Sequence, residues 1–216
     1  MAIGDHLRDV QDLYGSPKCP HTNAVLIAAG EKGVDLNCHV EDDWGPSSSV
    51  RSMSPLGIGP VLKDRSATNI GLMCCMSYID DKGFGPSLVH RNGVTRARMF
   101  QEITIAAQTD CSDDAALAAA LDQLEATLNS PLGNMKGDYV VGQYTLADCA
   151  WAGVCQVATN MGKGLAISSR AKVNSWFAAV QSHPSTSKEA INPFSCMATK
   201  ADHDGNNMRE VRINTA

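Results

Sequence analysis

The amino-acid sequence predicts a chain in two parts, a mixed α/β region followed by an all-helical one. Strand-like and helix-like runs alternate as far as about residue 82. From residue 93 onward apolar residues recur only at helical spacing. Between the two, DDKGFGPSLVHRNG (residues 80–93) concentrates Gly, Pro, Asp and Asn, which break both patterns.

In the first part, residues 10–14 read as a strand. Residues 23–32 read as an apolar-rich helix that stops at Gly33, a suitable C-cap. Residues 36–40 form a second strand, 45–54 a polar loop, 60–63 a short strand opened by proline, and 70–81 another helix. In the second part, Met99, Phe100, Ile103 and Ala107 share one helical face, and Leu117, Leu121, Leu124 and Leu128 share another. Ser112 or Asp113 would cap the second of these helices. Thr145 and Asp148 have the spacing of a capping box, ahead of an apolar helix that carries Trp151. A last helix over 169–182 carries Trp176 and Phe177 and ends at His183-Pro184. No strand is expected after residue 95. The boundaries implied are 1–82, 93–200 and a polar, surface-lying tail at 201–216.

Composition narrows the function classes. The 216 residues are 44% hydrophobic and 19% charged, an ordinary globular balance. A net charge of −5 with no basic run argues against a nucleic-acid partner. Apolar stretches such as residues 115–121 are far too short to span a membrane, and the N-terminus has no apolar core of a secretory signal. Eight cysteines show no CxxC pair and no Cys/His metal pattern, so a metal site is not expected. Seven read as small buried hydrophobes in a reduced, cytoplasmic chain. The eighth, Cys19, lies where LYGSPKCPHT (13–22) passes from strand to helix. A thiol there meets the free N–H groups and partial positive charge of a helix start, which favour thiolate.

Three segments together resemble the glutathione transferase superfamily over about residues 10–190. LYGSPKCPHT looks like its first strand–turn–helix. Cys19-Pro20-His21-Thr22 stands at the C-P-x-[AS] motif of the cysteine-type, omega-like classes. SPLGIGPVLKD (54–64) resembles N-P-x-G-x-V-P-x-L-x-D, whose proline is cis. DYVVGQYTLADCAWA (138–152) resembles Y-L-x-G-x-x-x-T-x-A-D-x-x-x-A, the capped helix of the all-helical domain, and WFAAVQSHPS resembles the segment after it. The resemblance implies a thioredoxin-like α/β N-terminal domain joined to an all-α domain, with glutathione as co-substrate. It also implies a small hydrophobic or electrophilic substrate between the domains, and a homodimer.

Carried onto this chain, Cys19 stands where other classes place the catalytic serine or cysteine, with Ser16 in the turn as an alternative hydroxyl. Gly59 and a cis Pro60 would pair with the cysteinyl part of glutathione, as an added strand would. Tyr14 and His21 are further candidates at the strand end and the first helical turn. One departure stands out. The acid–serine pair that anchors the γ-glutamyl end falls at Gly71-Leu72, which supply neither carboxylate nor hydroxyl. Two classes of function follow. One is a glutathione-dependent thiol transferase or conjugating enzyme, with an isomerase or lyase as a variant; the other is a non-catalytic binding or assembly module on the same fold.

Overall fold

The computed structural model describes residues 10–41, 48–129 and 137–183, together with the backbone of 210–212. Cys196 and nearly all of the polar tail fall outside these residues.

The first part builds a sheet with helices against it. Strand β1 (Gln11–Gly15) is followed by α1 (Pro20–Lys32), β2 (Leu36–Val40), α2 (Ser49–Met53), β3 (Val61–Lys63), β4 (Thr68–Ile70) and α3 (Leu72–Lys82). β1 and β2 run parallel because α1 crosses between them, with Leu13 opposite Cys38. β3 is antiparallel to β1, placing Leu62 opposite Leu13, and β4 is antiparallel to β3. Leu13, Cys38 and Leu62 thus make one inward row, and all three are buried with α1 and α3 side chains. The Gly59-Pro60 peptide is cis.

Several sequence expectations shift here. The first helix begins three residues earlier than the apolar pattern suggested, with proline at its first turn. The region expected as a polar loop contains α2, because the Ser48 hydroxyl accepts from the Arg51 N–H and starts a helix that apolar periodicity cannot reveal.

The second part is α4 (Gly93–Gln108), α5 (Asp114–Asn129), α6 (Leu146–Asn160), α7 (Gly164–Ser168) and α8 (Ala171–Gln181). Asp113 caps α5 through the Ala115 and Ala116 N–H groups. On α4 the buried seam is Met99, Ile103 and Ala106, with Phe100 38% exposed. Glu102 is instead fully buried, accepting from Trp151 Nε1 at 3.1 Å and paired with Arg98 at 2.7 Å. A charge that apolar periodicity does not place in the core is satisfied there by an indole and a guanidinium. The helix expected over 169–182 is α8, begun two residues later, and the short α7 ahead of it, separated by Ser169 and Arg170, carries no apolar pattern that announced it.

α6 is the central rod, buried from Leu146 to Ala158. Its capping box is present: Asp148 accepts from the Thr145 N–H at 2.8 Å, and the Thr145 hydroxyl accepts from the Ala147 N–H. The other carboxylate oxygen of Asp148 accepts from the Val140 N–H and from Trp176 Nε1.

The segment linking the two parts is held down. Buried Lys32 and Asp80 pair at 3.0 Å. Lys32 also donates to the Pro86 carbonyl, while Asp80 accepts from the Leu88 N–H and the Ser87 hydroxyl. Contrary to the expectation of no strand after residue 95, β5 (Glu210–Arg212) pairs antiparallel with β2. The sheet order is therefore β4-β3-β1-β2-β5. An outer strand needs only backbone groups to pair, so three residues with one valine can form one without an apolar signature.

Candidate functional site

The register brings the separated motifs to one end of the sheet. Tyr14 opposes Val61, and Val61 opposes Ile70. The end of β1, the start of β3 and the end of β4 therefore lie side by side, and Gly15, Pro60 and Gly71 are neighbours in the next row. The Gly71 N–H donates to the Pro60 carbonyl at 2.8 Å. α1 and α3 both start from this end, and neither start has a side-chain cap. Uncapped N–H groups of two helices favour an anionic or thiolate ligand at that place.

Cys19 is the N-cap residue of α1, with extended backbone (φ −93°, ψ 121°) and a half-buried side chain. Its turn is tied by Asn23, whose amide donates to the carbonyls of Pro17 (2.9 Å) and Cys19 (3.0 Å). Apolar periodicity hid Asn23; its place four residues after the cysteine was the available signal. Ser16 is buried, and its hydroxyl accepts from the Lys18 N–H at 3.1 Å, which shapes the turn. Donation from His21 Nε2 to the Ala107 carbonyl at 2.9 Å docks the first turn of α1 on the end of α4. Tyr14 alternates with Leu13 and so lies on the other sheet face, stacked on His39 at 4.3 Å. The structure brings Cys19, Gly59, Pro60, Gly71 and Leu72 to one end and carries the Tyr14 ring away from it.

The odd anchor pair has a local reason. Gly71 has φ 82°, a conformation that strains any side chain, and a Cβ there would lie 3.5 Å from the Ile58 Cγ2. Leu72 is buried in the core, so its position is taken by packing.

Of the other described thiols, five are buried as expected and Cys74, contrary to that expectation, is not. Burial pushes Cys38 and Cys75 up to about 12 and Cys111 up to about 11, and raises Cys149 and Cys155 further. Cys74 is exposed on α3. Among the described residues no group of three or more His, Cys, Asp or Glu could hold a metal ion, and no helix is long and apolar enough to cross a membrane.

Comparison with solved structures decides the architecture. Glutathione transferase F2 from Populus trichocarpa superposes with a TM-score of 0.69 at 19% identity, covering 86% of this chain and 99% of that one. The fold is that of the glutathione transferases. FzlA from C. crescentus shares it (TM-score 0.68, 19% identity, 82% of this chain and 90% of that one). So does a zeta-class bacterial maleyl pyruvate isomerase (0.67, 18%, 83% and 95%). In sequence, a stringent starvation protein A homologue of Pasteurella multocida is 25% identical over 159 residues, covering 69% of this chain and 75% of that protein. A homologue of the same name in Coxiella burnetii is 30% identical over 91 residues, and that match spans only 44% of its length. No family model matches the chain. Glutathione transferase folds thus occur here beside transferases, an isomerase and proteins of other names.

Proposed function

We propose that this chain performs thiol–disulfide exchange at Cys19, with glutathione or another small thiol as co-substrate, on a small hydrophobic or electrophilic substrate. One observation carries the reading. Cys19 is a half-buried thiol at the uncapped start of α1, at the sheet end where Gly59 and Pro60 also lie. In this reading the Cys19 thiolate attacks a sulfur of a substrate disulfide, forms a mixed disulfide and releases one thiol. A glutathione thiolate then attacks the mixed disulfide and regenerates Cys19. Gly59 and Pro60 would align the cysteinyl part of glutathione, the helix starts at Cys19 and Gly71 would meet its charges, and His21 and Ser16 would hold the turn. Conjugation to an electrophile, or isomerisation of a metabolite, would use the same place. The reading includes a cytoplasmic homodimer with domains over 1–82 and 93–200.

A second reading is a non-catalytic binding or assembly module. Gly71 and Leu72 favour it, because they offer neither acid nor hydroxyl. Losing one charge-assisted hydrogen bond costs about 1.5–3 kcal/mol, roughly tenfold or more in affinity. Glutathione should therefore bind more weakly than to a transferase with the acid–serine pair. Calorimetry with glutathione, and turnover of a glutathione mixed disulfide by wild type and Cys19→Ser, test the choice. Turnover lost on Cys19→Ser supports the enzyme. Neither binding nor turnover in the wild type supports the module. Sedimentation as a monomer at micromolar concentration would remove the dimer.

A further inference from the structure

A second thiol lies behind the first turn of α1. Cys111 follows α4 in a short turn and is 6% exposed. Its thiol points at the Val154 carbonyl of α6 at 3.9 Å, and Lys163 fixes its backbone by donating to the Cys111 and Ser112 carbonyls at 2.7 and 2.8 Å. The elements on either side of it both grip the start of α1. The end of α4 takes His21 at the Ala107 carbonyl, and Gly153, beside Val154, sits against the Pro20 carbonyl. Cys19, the N-cap of α1, thus stands on the turn that both elements flanking Cys111 hold.

We propose that Cys111 is the resolving thiol of Cys19, making an internal dithiol pair of residues 92 positions apart. This rests on Cys19 being the reactive thiol proposed above. A mixed disulfide at Cys19 is attacked at the Cys19 sulfur by the Cys111 thiolate. The Cys19–Cys111 bond forms, the bond to the small thiol breaks, and that thiol leaves with the electron pair and takes up the proton that Cys111 gave up. Two further equivalents of small thiol reduce the pair. Cys111 needs no route to solvent for this step, only to Cys19.

The charged groups around Cys111 are Asp110 beside it and Lys163 across from it, with Cys19 and Cys155 as the neighbouring thiols. With its thiol held up at about 11 by burial, resolution should quicken about tenfold per pH unit between about pH 7 and 9.

The test uses the full chain. Reduced protein is oxidised with diamide, which takes two electrons and two protons from a thiol pair, and is mapped by non-reducing peptide mass spectrometry. The Cys19–Cys111 peptide pair is expected, and is lost in Cys19→Ser. With oxidised glutathione, the wild type should pass through a transient Cys19 adduct, whereas Cys111→Ser should retain it. Circular dichroism confirms that each variant is folded; if Cys111→Ser is not, the Cys19→Ser map and the wild-type pH profile decide. An internal pair with diamide but no glutathione adduct keeps the dithiol and removes glutathione as co-substrate. A Cys111–Cys155 pair alone, or an adduct lasting equally in wild type and Cys111→Ser, overturns the proposal.

Discussion

Gly153 is a point of close approach between α6 and α1, and adding a single methyl there tests how tightly the site is built. In Gly153→Ala the new Cβ would stand 2.4 Å from the Pro20 carbonyl oxygen, 2.8 Å from the Ala24 nitrogen and 3.0 Å from the Ala24 Cβ. The first two are backbone atoms and cannot rotate away. Restoring a 3.4 Å contact requires α1 and α6 to part by 1.0 Å, the difference between 3.4 and 2.4 Å. Forcing methylenes into a packed core costs about 1–3 kcal/mol, and rigid neighbours on both sides put this case near about 3. Alanine returns about 1 kcal/mol of helix propensity. The net loss is about 2 kcal/mol, a fall in melting temperature of about 4–8 °C for a chain of this size. Pro20 follows Cys19, so the alkylation rate of Cys19 should change as well. Thermal and urea unfolding read the first effect, and timed iodoacetamide labelling with peptide mapping reads the second. Gly93→Ala is the control, because nothing lies within 4 Å of a Cβ there, and it should lose no stability. If Gly153→Ala melts at or above the wild-type temperature with unchanged labelling, the close approach of the two helices is not what holds α1.

Limiting iodoacetamide near neutral pH should modify Cys19 before exposed Cys74, and leave Cys38, Cys75, Cys111, Cys149 and Cys155 intact; faster labelling at Cys74 would show that exposure, not the helix start, governs reactivity. Asp80→Asn should cost about 3–5 kcal/mol in urea unfolding, because it leaves buried Lys32 without its partner. Burial works to raise the Asp80 carboxyl, but the Leu88 N–H, the Ser87 hydroxyl and Lys32 together hold it below its ordinary value. Its contribution is thus complete above about pH 4 and lost as the pH falls further, so wild type should lose more stability on acidification than Asp80→Asn. Glu102→Ala should cost a similar amount, about 3–5 kcal/mol, by stranding Arg98 and the Trp151 indole; a change under about 1 kcal/mol would mean that the buried acid is dispensable.

Local signals in the sequence were sufficient wherever one residue type has a narrow physical use. Gly33 ends α1 in the left-handed conformation, Asp113 caps α5, and Thr145 with Asp148 caps α6, each as its side chain or lack of one dictates. Periodicity did less well where burial is decided by a partner elsewhere in the chain. Glu102 became a core residue because Trp151, 49 positions away, needed an acceptor, and Phe100 was left at the surface. At the candidate site the same division holds. The cysteine at the helix start and the proline-led strand were legible as a pair of motifs. Asn23 ties the Cys19 turn locally and Tyr14 takes the opposite sheet face by strand alternation, but the docking of His21 on α4 depends on a tertiary neighbour. So does the reason for Gly71 and Leu72, a positive φ at one and core packing at the other.

The segment after α3 has the composition of a protease-sensitive joint, rich in Gly and Pro with an exposed Phe84 at its centre. Cleavage needs several residues to leave the surface and extend in a protease groove, and this stretch is not free to do so. The Phe84 N–H is held by the Lys32 carbonyl at 2.8 Å, Pro86 by the Lys32 ammonium, Leu88 by Asp80, and the Leu88 carbonyl by the Leu146 N–H at 3.2 Å. Local opening would strip both members of a buried ion pair at once. The two halves should therefore not be separable by limited digestion, and the first half, which holds both Lys32 and Asp80, should not be expressed without residues 86–88 that cover the pair. What reads as a hinge in composition serves as a seam, joining two architectures into one unit of folding.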